Sequence, residues 1–280
     1  MGDKKIAIVT GASSGFGMLT SIELAKQNYY VLATMRNVNK KVALLEKAEE
    51  AAVTKMVEIY PLDVTDENSI LALKEKLKKL GRVDVLVNNA GFAGAGFSEE
   101  IPIEEYRQQF ETNVFGAISV TQLCLPYMRF QKTGKIINVS SISGRVGFPG
   151  LSPYVASKHA LEGWSESLRL EVHPFGVDVV LVEPGSFQTS IWSSGKYITE
   201  RSLQNHSPYS SYMKKLSLQL EKGEASYGDP IEVAKLITEI CQKSTTKLRY
   251  PIGKGVRLTL FLKGCLPWRI WERIVMKKIQ

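Results

Sequence analysis

The sequence predicts a doubly wound α/β fold, with a mostly parallel sheet of seven strands and helices on both faces. Three observations carry this reading. Short, continuous apolar runs recur along the 280 residues. Each is followed by a segment whose apolar residues have helical spacing, the alternation of a parallel sheet covered on both sides. Neither an internal repeat nor a break in composition divides the chain, so one domain over residues 1–280 is expected.

"KKIAIVTG" is the first strand, and "SSGFGMLTSIELAKQ" follows as a helix with Phe16, Leu19, Ile22 and Leu24 on its apolar side. "YYVLATMR" reads as the second strand and "KKVALLEKAEEA" as a helix. "VEIYPLDV" is the third strand; Asp66 then caps "ENSILALKEKLKKLG", which Gly81 closes. "VDVLVNNAG" is the fourth strand, "IEEYRQQFETNVFGAISVTQLCLPYMRFQ" one long helix, and "GKIINVSS" the fifth strand. A second long helix starts at "SPYVASK", with Ser152 as N-cap and Pro153 at the first helical position. "VDVVLVEPG" is the sixth strand, and "DPIEVAKLITEICQK" a later helix. The seventh strand has no comparable run. Between Pro184 and Asp229 the periodicity weakens, and so long a stretch in a compact fold is expected to be a substrate loop or lid, about residues 186–228.

Apolar residues make up 44% and charged residues 23%, an ordinary globular balance. Cys124, Cys241 and Cys265 are widely spaced, and His159, His173 and His206 form no ligand pattern. A disulfide framework and a metal site are therefore not expected, and a reducing, cytoplasmic setting is. The N-terminus lacks a signal-peptide core, Ile6 stands where a myristoylation signal needs Ser or Thr, and no run approaches the ~20 apolar residues of a membrane span.

The net charge of +8 is uneven: residues 249–280 hold eight cations against Glu272 alone. Within this C-terminal extension, about residues 255–280, "PWRIWERIVMKKI" places Trp268, Trp271, Ile274, Val275 and Ile279 on one helical face, away from Arg269, Arg273 and Lys277. A basic amphipathic helix of this kind fits peripheral membrane contact, a lid over the site, or packing between subunits. Nothing else supports nucleic acid as a partner.

"TGASSGFG", Thr10 to Gly17, lies where the first strand turns into a helix. Glycines there let the backbone approach a pyrophosphate, and the helix N-terminus offers free N–H groups. A plain tight turn uses the same residues, but the position after the first strand favours a nucleotide. Tyr154 and Lys158 are four apart on a helix, which places an ammonium beside a phenol. At ~5 Å and an effective dielectric near 20, Coulomb's law gives about 3 kcal/mol, enough to draw the phenol toward neutral pH. Tyr250 and Lys254 share that spacing, but Pro251 and Gly253 between them disfavour a helix, so coincidence is expected there.

"TGASSGFG", "NNAG" at Asn88 to Gly91, "YVASK" at Tyr154 to Lys158 and "EPG" at Glu183 to Gly185 stand in an order and spacing that resemble the short-chain dehydrogenase/reductase family, over about residues 4–245. The resemblance is to its NADP(H)-dependent hydroxysteroid and retinol dehydrogenase-like members. It implies a Rossmann-type domain and cofactor contacts from Gly11, Ser13, Ser14, Gly15, Phe16, Gly17, Asn89, Ala90, Gly91, Tyr154 and Lys158. It places Asp63 at the adenine amino group with Val64 beside it, although Asp63 also suits a turn. Pro184, Gly185 and Thr189 fall on the loop that meets the nicotinamide carboxamide, where Phe187 is bulkier than expected.

Met35 stands where NAD-binding relatives carry an acid, and Arg36 follows. A guanidinium suits a 2′-phosphate, with Ser14 as a second contact, so NADP(H) is expected over NAD(H); a plain surface arginine is the other reading of Arg36. The resemblance further implies Ser141 holding a substrate oxygen, Tyr154 as acid/base, Lys158 tuning it, and Asn113 tied to a proton-relaying water. Ser140 reads as packing. The reaction expected is hydride transfer between the nicotinamide and an apolar ketone, aldehyde or secondary alcohol, in a homodimer or homotetramer. Phe92, Phe97, Phe148, Trp192, Tyr209 and Tyr212 are candidates to line an apolar cleft, or to pack the core or lid. A non-catalytic NADP(H)-binding regulator on the same fold is the alternative.

Overall fold

The computed structural model describes residues 4–189, 196–224 and 227–279. In its first half β1 (Ile6–Val9), α1 (Gly15–Lys26), β2 (Tyr30–Met35), α2 (Val42–Glu50), β3 (Val57–Pro61), α3 (Glu67–Leu80) and β4 (Val85–Asn88) alternate as the sequence predicts. A short β5 (Ala93–Ala95) follows, then α4 (Ile103–Phe110), α5 (Gly116–Gln131), β6 (Gly134–Val139), α6 (Ser152–Val172) and β7 (Val177–Pro184). The remainder holds β8 (Lys196–Ile198), α7 (Glu200–Leu203), α8 (Ser210–Glu224), α9 (Pro230–Gln242), β9 (Arg249–Ile252), α10 (Val256–Cys265) and α11 (Trp268–Ile279).

The main sheet runs β3-β2-β1-β4-β6-β7-β9, and every neighbouring pair is parallel. Its strands are buried on both faces, which is why they read as continuous apolar runs. Ala7 and Val9 face a layer with Leu24, Leu44, Val233 and Ile237 of α1, α2 and α9. Ile8 faces the opposite layer, with Leu73, Leu77, Val120, Cys124 and Leu168 of α3, α5 and α6. The strand order reverses between β1 and β4, the crevice where ligands of such sheets bind.

Two expectations need correction. The long helix is broken by a π turn, Glu111–Phe115, between α4 and α5. Leu151, rather than Ser152, is the N-cap of α6, and the Ser152 hydroxyl instead meets Ser98 Oγ at 2.9 Å and Tyr106 Oη at 2.6 Å. The seventh strand is β9, an edge strand whose Pro251 is tolerated because an edge leaves N–H positions unpaired. Tyr250 therefore lies in a strand, with its hydroxyl accepting from Lys247 N at 3.1 Å, and is not aligned with Lys254 on a helix.

The region read as a lid is partly regular, holding β8, α7 and α8, with β8 pairing parallel to β5 in a separate two-stranded ladder. Helix α11 packs against α8. The tail's expected apolar face is divided by this packing: Trp271 is buried and Val275 half-buried, whereas Trp268 and Ile274 are exposed. Trp192 and the Ile279 side chain lie outside the described residues. Among the described residues, no helix is long and apolar enough to cross a membrane.

Candidate active site

The glycine-rich turn and the "NNAG" segment hold each other. Asn89 Nδ2 donates to Thr10 O at 2.9 Å and Gly11 O at 3.0 Å, while Thr10 Oγ1 accepts from the N–H groups of Asn89 and Ala90 at 2.9 and 3.0 Å. Two glycines are required by this closeness. Gly11 has φ +67°, and a Cβ on Gly17 would lie 2.4 Å from both Asn89 Nδ2 and Gly11 O. Ser14 is the extended N-cap residue of α1, with Ser13, Gly15 and Phe16 half-buried around it. A Cβ on Gly15 would be 3.6 Å from Thr189 Cβ, so the chain after β7 returns to the turn. Phe187 is turned into the core, 1% exposed and edge-on to Phe16 at 5.7 Å. Its bulk is used for packing beneath the turn.

Arg36 is exposed directly after buried Met35, and Ala12 N donates to Thr34 O at 2.8 Å, which brings the end of β2 beside the turn. Asp63 Oδ1 accepts from Thr65 N at 3.0 Å and Thr65 Oγ1 at 2.8 Å, the turn role open to it from sequence. Val64 packs on the start of α5, where a Cβ on Gly116 would come within 2.6 Å of Val64 Cγ2.

At the other end of the crevice Tyr154 and Lys158 are 4% and 6% exposed, one turn apart on α6. Lys158 Nζ donates to Val139 O at 2.8 Å and lies 5.7 Å from the Tyr154 ring centroid. Ser141, at the end of β6, is hydrogen-bonded to Tyr154; its Oγ also donates to Pro184 O at 3.5 Å and accepts from Ser143 N at 3.1 Å. Gly185 N donates to Ile252 O at 2.9 Å, fixing the start of the loop after β7. Asn113 sits in the π turn, a departure from α geometry that often accompanies function. Its side chain accepts from Phe92 N at 3.2 Å and donates to Phe92 O and Ser157 Oγ, both at 3.1 Å.

The electrostatics reverse one expectation. Burial pushes the Tyr154 phenol up to about 12, with the Ser141 hydrogen bond acting the other way. Burial also pulls Lys158 down to about 8, with Glu162 opposing. Desolvation of both groups outweighs the Coulomb attraction that the i,i+4 spacing promised, and the ammonium is aimed at the Val139 carbonyl.

Of the candidate cleft residues, Phe97, Tyr209 and Tyr212 come together, with ring centroids 4.3 and 5.2 Å from Phe97. Phe92 and Phe148 are half-buried. Sequence reasoning missed Gln109, which accepts from Gly94 N at 2.6 Å and donates to Phe92 O at 2.9 Å. Its i,i+4 relation to Asn113 was the available signal. It also missed Glu100, whose carboxylate accepts from Ser202 Oγ at 2.5 Å and Ser207 Oγ at 2.6 Å and so ties down α7 and the turn before α8. No local pattern marks that bond.

Fold and site together define a dinucleotide-binding α/β oxidoreductase. The family model for short chain dehydrogenases matches residues 5–196, and the chain belongs to the short-chain dehydrogenase/reductase family. It is similar to YusZ, an uncharacterized oxidoreductase of Bacillus subtilis, at 51% identity over 99% of both chains. It is 37% identical to a 3-ketodihydrosphingosine reductase of Bacteroides thetaiotaomicron, over 93% of this chain and 91% of the other. An NADPH-dependent 3-dehydrocapnine reductase of Ornithobacterium rhinotracheale is 32% identical over 99% and 98%. The crystal structure of a short-chain dehydrogenase from Streptomyces avermitilis superposes with a TM-score of 0.82 at 36% identity, covering 100% of this chain and 98% of that one. The chain is an oxidoreductase of this family, acting on CH–OH and C=O groups with a nicotinamide cofactor.

Proposed function

We propose that the chain is an NADP(H)-dependent reductase of apolar ketones or aldehydes, able to run as an alcohol dehydrogenase in reverse. The observation that carries this reading is the convergence of Ser141, Tyr154 and Lys158 on one buried spot beside the loop after β7. The residues present fit a dinucleotide, because Gly11 and Gly15 both take positive φ in a turn that ends at the N-terminus of α1, where backbone N–H groups suit a pyrophosphate. Gly11, Ser13, Ser14, Gly15, Phe16 and Gly17 would cradle the pyrophosphate, Arg36 the 2′-phosphate, and Asn89, Ala90, Gly91, Pro184, Gly185 and Thr189 the nicotinamide half. Asp63 and Val64 would border the adenine.

When bound, the cofactor supplies or takes up the hydride. Tyr154 gives its proton to the substrate oxygen in reduction and removes it in oxidation. Ser141 donates to that same oxygen and holds it against the phenol. Lys158 places a cation behind the phenol, which favours the phenolate at the moment of proton transfer. Asn113 and Gln109 fix the backbone of Phe92 and Gly94 against the helix start, so the wall of the site cannot drift. The names of two relatives, reductases of 3-ketodihydrosphingosine and of 3-dehydrocapnine, support reduction of a keto group, and the second supports NADPH. The Phe97–Tyr209–Tyr212 cluster supports an apolar substrate.

Parallel fluorescence titrations with NADPH and NADH test the cofactor. Tight NADPH with weak NADH is expected, and Arg36→Ala should weaken NADPH about tenfold or more with NADH unchanged. Equal losses for both would remove Arg36 from the 2′-phosphate site. The reading includes a homo-oligomer whose tail touches lipid. Leu258, Phe261, Trp268 and Ile270 are exposed among Arg257, Lys263, Arg269 and Arg273. Flotation on anionic liposomes should be weakened when the chain is cut before Pro267, which removes Trp268, Ile270, Arg269 and Arg273, and lost when it is cut before Val256; flotation of both cut chains equal to the full chain's would end that part.

A further inference from the structure

Behind Lys158 lies a set of buried charges that the mechanism above does not use. Glu183, 0% exposed, is the β7 residue immediately before Pro184, and its Oε1 lies 3.2 Å from Arg249 Nε and 3.7 Å from Arg145 Nη1. Glu162 is one helical turn beyond Lys158 on α6, and its Oε2 accepts from Arg249 Nε at 2.9 Å. Arg249 Nη2 also donates to Glu166 Oε1 at 2.6 Å, on the solvent side. Glu162 Oε1 and both carboxylate oxygens of Glu183 are buried with no hydrogen-bond partner. The turn after Ser141 presses on this set: a Cβ on Gly144 would come within 2.8 Å of Glu162 Cγ and of Ser140 Oγ.

The titratable and charged groups of this cluster, which meets Lys158 through Glu162, come from four elements. They are Tyr154, Glu162 and Glu166 from α6, Arg145 from the turn after β6, Glu183 from β7, and Arg249 from β9. Three carboxylates thus face two guanidinium groups and one amine. With all three ionised, which Glu183 reaches only above about 7, formal charge balances only while Lys158 is an ammonium. Buried carboxylates short of hydrogen bonds depend on nearby cations, and a buried ammonium depends equally on them. The direction of the electrostatics agrees: Glu162 holds Lys158 toward its charged form, while burial and the neighbouring Glu162 push Glu183 up to about 7.

We propose that Glu162 and Glu183, bridged by Arg249, are positioning residues that keep Lys158 an ammonium at neutral pH. They act through Lys158 and touch neither substrate nor cofactor. The proposal rests on the assignment of Lys158 in the proposed function, so its test is read without turnover. Protein labelled with lysine carrying carbon-13 at Cε is titrated by NMR, and the Lys158 resonance is identified by its loss in Lys158→Met. Glu162→Gln should move the Lys158 midpoint down by about one pH unit, and Glu183→Gln by a smaller amount in the same direction.

The other lysine resonances and the melting curve report whether each variant folds. If Glu162→Gln does not fold, the isosteric Glu183→Gln alone decides. A Lys158 midpoint unmoved in the folded variants would overturn the proposal, because packing alone does not change a titration. Turnover separates the two readings. An alkaline limb of kcat that moves with the NMR midpoint supports both. A moved midpoint in a protein that reduces no carbonyl sustains this inference and removes the proposed function. A fixed midpoint in a protein whose turnover needs Tyr154 does the reverse.

Discussion

The glycine turn and the region read as a lid border the same end of the sheet, yet they are built by different means. In the turn every bond has a backbone group on one side: Asn89 Nδ2 donates to the carbonyls of Thr10 and Gly11, Thr10 Oγ1 accepts from the amides of Asn89 and Ala90, and glycines stand where a Cβ has no room. The lid is closed mainly by side chains: Glu100 on Ser202 and Ser207, Tyr209 stacked on Phe97, and Tyr209 Oη donating to Glu99 at 2.7 Å. In the proposed reading the turn meets what every dinucleotide shares, and the lid meets one class of substrate. The proposed catalytic residues Ser141, Tyr154 and Lys158 sit between the two, so each half should fail in its own way.

The sharpest break would come at the junction. Tyr154→Phe should reduce turnover about a thousandfold while NADPH binding is kept, because only the proton donor is lost. Turnover within tenfold of the parent would remove Tyr154 as the acid/base, and lost binding would show that the two halves are not separable.

Next in size is Gly17→Ala, which forces a methyl group against Asn89 Nδ2 and Gly11 O. A cost of about 2 kcal/mol in urea unfolding is expected, together with weakened NADPH binding. A variant as stable as the parent and binding normally would mean that the turn is looser than the geometry states.

On the lid side, Glu100→Ala leaves two hydroxyls without their acceptor and should cost ~1–2 kcal/mol. It should raise KM for the carbonyl substrate several-fold and leave NADPH affinity unchanged. An equal loss of both affinities would break the comparison itself.

A last test lies in pH dependence. The Glu183 carboxyl is raised from 4.5 to about 7 in the folded chain. Between those values the unfolded chain has already released this proton and the folded chain has not. Stability from this group is therefore complete below about 4.5 and lost as pH rises toward about 7, with no further change above. Melting temperatures across that window should fall in the parent and fall less in Glu183→Gln. Identical slopes would show that Glu183 ionises normally.

How much of this was legible in the sequence follows the same division. Strands β1, β2, β3, β4, β6 and β7 of the main sheet, the turn and the Tyr154–Lys158 pair were readable because each depends on residues close in sequence. Strand β9 was not, since four residues at a sheet edge with Pro251 among them carry no strand signature. Ser152 obeyed the grammar of an N-cap, but Ser98 and Tyr106 engage its hydroxyl. The tyrosine's acidity was misjudged because spacing gives the Coulomb attraction and says nothing of burial, which is the larger effect for Tyr154. Glu100 was invisible because its partners lie 102 and 107 residues away.

One part of the lid departs from this division. The β5–β8 ladder joins Ala93–Ala95 to Lys196–Ile198 through amides and carbonyls that every residue except proline possesses in full. The demand on side chains falls on the β5 side, where Ala93 and Ala95 are buried and a Cβ on Gly94 would lie 2.8 Å from Gln109 Oε1, whereas Tyr197 on the β8 side is exposed. A lineage can rewrite the recognition surface beyond that seam without first reinventing its attachment. Changes of substrate then become short mutational journeys, while the nucleotide half stays as it was inherited.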